Sequence, residues 1–87
     1  MRTKDVMKKF DLCRQYDVFE VWLKECGFSI DDLPLSAKTE TGEDVIVEAT
    51  RDDDGKIVWK ISTMQKNDWI RVNYYYDDGL VEELYEH

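Results

Sequence analysis

The chain has little of what marks the commonest functional classes. Its 87 residues include one proline, four glycines, two cysteines and a single histidine, His87. Apolar runs are only a few residues long, against the ~20 needed to span a bilayer, and no signal-peptide core follows the first residues. A soluble, cytoplasmic protein is expected. Two thiols and one terminal imidazole do not make a tetrahedral metal site of recognisable spacing. Cys13 and Cys26 sit among apolar neighbours, as packed free thiols do. On one continuous helix they would lie roughly 20 Å apart, beyond the reach of a disulfide. There is no glycine-rich phosphate loop and no nucleophile with a candidate base beside it. No catalytic residue, metal or cofactor is expected.

Basic residues are the other shortage. Twelve Lys and Arg stand against twenty Asp and Glu, a formal net charge of -8. The excess is uneven. Residues 1–27 carry six basic and five acidic side chains and residues 51–66 four and three, whereas residues 28–50 and 67–87 each carry one basic against six acidic. Such a field repels phosphate and attracts a basic surface, so direct binding of DNA or RNA is disfavoured.

What is present fits one folded domain over residues 1–87. Hydrophobic residues make up 43% of the chain, and three Trp, five Tyr and three Phe bury much area per residue fixed. Val6, Phe10 and Cys13 recur at helical spacing, and Leu12, Tyr16, Phe19, Leu23 and Cys26 continue the apolar face, which predicts a helical layer over 3–27. Asp17 and Glu20 have capping-box spacing, so one helix and a helix pair are both open. Gly27 supplies the left-handed residue of a Schellman end, with Phe28 folding back on Leu23. Residues 28–43, with Pro34, read as a connecting loop holding at most one helical turn.

From Asp44 the period becomes two. Val45, Val47 and Ala49; Ile57, Trp59 and Ile61; and Ile70, Val72, Tyr74 and Tyr76 predict three strands. A three-residue Asp53-Asp54-Gly55 loop sets Ala49 opposite Trp59 and Val47 opposite Ile61. A four-residue loop over 64–67 sets Ile61 opposite Ile70 and Trp59 opposite Val72. Asp77-Asp78-Gly79 repeats the turn signal and pairs Val72 with Leu84 in a fourth strand, although the Leu80, Val81, Leu84, Tyr85 spacing also fits a short helix. The expected fold is α+β: an N-terminal helix or helix pair on one face of a three- to four-stranded antiparallel meander, with the sheet over 44–86.

Two acid-rich features have plain readings. Mapping Asp54-Gly55 onto a calcium loop puts Thr50 and Ile61 where ligands are needed, so the segment reads as a hairpin turn. Adjacent carboxylates at Asp31 and Asp32 or Glu82 and Glu83 lack the concave pocket of an acid/base pair, which sets an acid-dependent hydrolase last among the alternatives.

The predicted register turns Ile46, Val58, Trp69, Tyr75, Val81 and Tyr85 outward among Lys60, Arg71 and Asn73, unless a second helical segment or the loop 29–43 covers that face. Aromatics set among charges have the make-up of a protein interface. The candidate partner-binding residues are therefore Asp31, Asp32, Glu40, Glu43, Asp44, Asp77, Asp78, Glu82, Glu83 and Glu86 for charge, with Trp69, Tyr75 and Tyr85 as anchors. No residue-level family motif is present. In size and charge alone the chain resembles the small acidic inhibitors that phages use against host nucleases, including anti-CRISPR and anti-restriction proteins. That resemblance implies a non-enzymatic nucleic-acid mimic acting in the host cytoplasm on a basic, nucleic-acid-handling partner. An immunity or antitoxin protein, and a module that self-associates as a homodimer through the sheet face, are the alternatives.

Overall fold

A computed structural model describes residues 4–10, 16–65 and 69–86. Among these residues six strands form one sheet in chain order: β1 (Lys4–Asp5), β2 (Leu35–Lys38), β3 (Asp44–Arg51), β4 (Ile57–Met64), β5 (Ile70–Tyr75) and β6 (Val81–Glu86). Strands β2 to β6 are antiparallel neighbours, and β1 runs parallel to β2 at the edge. A single helix among the described residues, α1 (Tyr16–Glu25), covers one face. The class is α+β, as the patterning predicts.

The helical layer is shorter than the spacing suggests. Val6 and Phe10 lie in an extended segment: Val6 N–H donates to the Ser36 carbonyl (2.7 Å) and Phe10 N–H to that of Lys38 (2.8 Å). Four-residue spacing satisfies two strand periods as well as one helical turn, and the open edge of β2 decides between them by accepting these bonds. Asp17 lies within the first turn of α1, not before it. Leu12 and Cys13 fall outside the described residues. The helix ends as expected. Gly27 has φ +81°, its N–H reaches the Lys24 carbonyl (3.0 Å), and Phe28 N–H reaches that of Leu23 (3.1 Å), the two bonds of a Schellman motif.

The connection 28–43 holds more than a loop. Ile30–Asp32 forms a 3-10 turn, and β2 follows directly after Pro34. Four residues alternating buried Leu35 and Ala37 with Ser36 and Lys38 are too short to register as a period, and a proline just ahead of a strand disturbs no ladder bond.

Both Asp-Asp-Gly hairpins take the expected register, with Val47 opposite Ile61, Ala49 opposite Trp59 and Val72 opposite Leu84. The middle hairpin does not. Trp59 faces Tyr75, Ile61 faces Asn73 and Met64 faces Ile70, and Gln65 N–H closes onto the Trp69 carbonyl (2.8 Å). This is a three-residue slip from the predicted pairing. An odd slip exchanges the two faces of everything after it. Ile70, Val72 and Tyr74 consequently lie on the outward face beside Ile46, Val58 and Leu84, while Trp69, Arg71, Asn73, Tyr75, Val81 and Tyr85 lie on the helix side.

The core explains why that register wins. Phe19 stacks on Phe10 (centroids 5.5 Å), meets Tyr75 edge-on (4.5 Å) and lies 5.9 Å from Trp59. Tyr75 fills the helix-side position next to Trp59 with far more apolar area than Val72 could supply there. Polar tips are satisfied at the margin: the Tyr16 hydroxyl donates to the Ile57 carbonyl (2.7 Å) and Trp22 Nε1–H to that of Lys9 (3.1 Å).

Candidate functional site

Alternating hairpins place the acids at two opposite ends of the sheet. At one end lie the turns 52–56 and 76–80, tied by the Lys56–Asp77 ion pair at 3.2 Å. The hydrogen bond and charge of Asp77 raise the Lys56 pKa above its ordinary 10.5. Several acids here serve their own backbone. Asp52 Oδ1 accepts from the N–H groups of Asp54 and Lys56 (both 2.9 Å), and Asp78 Oδ1 from that of Leu80 (2.9 Å). These are turn-forming carboxylates. Asp31 borders a small cavity with Arg51 at the same end, and Asp32 Oδ2 accepts the Ser29 N–H (2.8 Å).

At the other end the β2–β3 turn, the β4–β5 connection and the end of β6 converge. They enclose an open groove of about 710 Å³ lined by Gly42, Glu43, Asp44, Met64, Gln65, Trp69 and Tyr85. Four candidates, Glu43, Asp44, Trp69 and Tyr85, thus share one concavity. Trp69 is 43% and Tyr85 61% exposed, so both rings present area to a partner. None of the described lining residues is basic. Asp44 pairs with Lys38 (2.7 Å), and Glu43 accepts a hydrogen bond from the Thr41 hydroxyl (3.1 Å). Glu40 is exposed in the adjoining turn, and Glu86, opposite Ile70, closes β6 at the same end.

Strand β6 carries the acidic surface away from the groove. Tyr85 donates its hydroxyl to Glu83 Oε1 (2.8 Å), and this bond with the charge behind it raises the phenol's pKa above 10.0. Glu82 accepts from the Tyr76 hydroxyl (3.2 Å). The acidic blocks therefore meet only in part. Glu43 and Asp44 share the groove with Tyr85, and Glu40 and Glu86 lie at the same end of the sheet, whereas Asp31, Asp32, Asp77 and Asp78 lie toward the opposite end.

Tyr75 is a correction. At 2% exposure against Phe19 it is a core residue and cannot anchor a partner. Gly42, Met64 and Gln65 were not among the candidates. Gly42 has φ +87° in the turn that shapes one wall, and its signal lay in the Thr-Gly pair of a segment read as loop. A last polar feature borders this end of the helix-side face. Thr63 Oγ1, Gln65 Nε2, Arg71 Nε and Asn73 Oδ1 are buried and have no hydrogen-bond partner among the described residues, and Thr63 faces Arg71 directly across the ladder.

Among the described residues no cluster of His, Cys, Asp and Glu could hold a metal ion, and no helix is long and apolar enough to cross a membrane. Compared with protein-family models, curated proteins and solved structures, the chain has no significant match.

Proposed function

We propose that this is a non-enzymatic acidic binding protein that occupies a basic, nucleic-acid-handling surface of a partner protein and blocks it. The observation that carries the reading is the groove in which Glu43 and Asp44 stand with the exposed rings of Trp69 and Tyr85. Carboxylates attract Lys and Arg over a Debye length of about 8–10 Å, and aromatic faces hold those cations at contact. Trp and Tyr are also the side chains that most often dominate an interface energetically. Surfaces built to hold phosphate are the commonest concentrated source of Lys and Arg, which favours a nucleic-acid-handling partner. The open groove does not exclude water from its carboxylates, which favours binding over acid/base chemistry.

Affinity capture at low salt tests the proposal. The wild-type chain is expected to retain a basic protein that a Glu40→Gln, Glu43→Gln, Glu86→Gln, Trp69→Ala variant does not. Equal retention by both baits contradicts it.

The outward face favours a second reading. Ile46, Met64, Ile70, Tyr74 and Leu84 lie there away from α1, and Met64 and Leu84 are each 41% exposed, which suits self-association. Sedimentation equilibrium decides it: concentration-dependent dimerisation abolished by Leu84→Glu supports a structural module, and a strict monomer removes it.

A further inference from the structure

Among the described residues strand β6 ends the sheet, and five of its six residues are exposed. The Tyr76 N–H to Leu80 carbonyl bond (3.0 Å) fixes the phase of the β5–β6 ladder. Antiparallel pairs alternate, so Glu82, Leu84 and Glu86 bond back to Tyr74, Val72 and Ile70, while the N–H and C=O groups of Val81, Glu83 and Tyr85 point away from the sheet. A row of outward backbone groups is a template for another strand, and proteins ordinarily guard such edges with charge.

Here the guard has one sign, because Glu82, Glu83 and Glu86 make up half of the strand. A second copy is thereby disfavoured. An antiparallel β6–β6 pairing centred on Leu84 sets Glu82 opposite Glu86 twice, and like charges directly opposite destabilise a sheet. A strand bearing Lys and Arg meets the reverse condition. We infer that β6 is an acceptor edge to which an extended basic segment of a partner protein adds as a further antiparallel strand. This rests on the acidic-binding reading above and supplies its backbone component.

The alternation of faces specifies the segment. On the helix side an apolar residue lies opposite Val81, a lysine opposite Glu83 and an arginine over the Tyr85 ring. On the outward side lysines lie opposite Glu82 and Glu86 and an apolar residue opposite Leu84. Read from its own N-terminus, the complementary strand is Lys-Arg-Val-Lys-Lys-Val. Its main-chain bonds come from the residues opposite Tyr85, Glu83 and Val81.

The test uses that capped hexapeptide and a second one with the same side chains, N-methylated on the residues opposite Tyr85 and Glu83. Charge is identical, and only the ladder bonds are lost. Amide NMR of the whole chain at low salt is expected to show slowed exchange at Glu83 and Tyr85 with the first peptide, and affinity about tenfold or more weaker for the methylated one. A Glu82→Lys, Glu86→Lys variant, altered only at exposed positions, is expected to lose the first peptide. Equal binding of both peptides with unchanged exchange at Glu83 and Tyr85 overturns strand addition while leaving attraction to cations intact. Binding of neither peptide also overturns it, and the broader reading is then decided by the salt titration of a captured partner.

Discussion

Trp59 and Tyr75 are direct cross-strand partners, and both pack on Phe19. This one pairing assigns a face to every later residue, since the β5–β6 hairpin inherits its phase. It puts Trp69 and Tyr85 at the groove and takes Tyr75 away from any partner.

Engineered disulfides test the register. With Cys13 and Cys26 replaced by Ser, Lys60→Cys with Tyr74→Cys creates a non-hydrogen-bonded antiparallel pair, whose Cα atoms lie about 4.5–5.5 Å apart, within disulfide range. That pair is expected to oxidise readily by mass spectrometry under mild conditions, and Lys60→Cys with Arg71→Cys is not. The opposite outcome removes the three-residue slip and restores the pairing of Ile61 with Ile70.

The Phe19 ring joins helix to sheet and is fully buried. Phe19→Ala is expected to cost about 3–5 kcal/mol, a large share of the ~5–10 kcal/mol available to a domain of this size. Urea denaturation followed by tryptophan fluorescence measures it. A cost below about 1 kcal/mol would place the ring outside the core.

Thr63 is fully buried, and its hydroxyl has no hydrogen-bond partner among the described residues. Replacing a buried, unsatisfied polar group by an apolar one of like shape removes a desolvation penalty, so Thr63→Val is expected to raise stability by about 1 kcal/mol. A comparable loss in the urea midpoint would mean that the hydroxyl has a partner.

Alkaline pH is expected to weaken the fold. Burial, then the charges of Asp77, Glu20, Asp17 and Asp52, raise the Tyr16 pKa above 10.0, and Asp77 raises that of Lys56 above 10.5. Each group holds its proton more tightly folded than unfolded. Its contribution is therefore complete below the unfolded pKa and lost as pH rises through the folded one. The urea midpoint is expected to fall from about pH 10 upward, and less steeply in Lys56→Met. A midpoint that rises over this range contradicts the assignment.

Local chemistry was readable in the sequence wherever it was self-contained. Gly27 ended the helix and Gly55 and Gly79 set two hairpins, because a left-handed residue at a fixed offset leaves few alternatives. Non-local choices were not readable. Val6 and Phe10 fit helix and strand equally, and the edge of β2 that selects the strand lies about thirty residues away in sequence. The middle hairpin has no Asp-Asp-Gly signal, so its register followed the rule that apolar residues share a face. Tyr75 overrode that rule by filling the space beside Phe19. Of the candidate site, the acids were legible by composition, whereas the meeting of Glu43 and Asp44 with Trp69 and Tyr85 depends on the sheet order.

The central claim is attraction to a basic surface through the groove. Its most direct test is the affinity of the purified captured partner between about 50 and about 500 mM salt, a range over which screening shortens from about 14 to about 4 Å. The account predicts a Kd at least about tenfold weaker at the higher salt, with a flatter dependence for the Glu40→Gln, Glu43→Gln, Glu86→Gln variant. A Kd unchanged across that range, in wild type and variant alike, would contradict it.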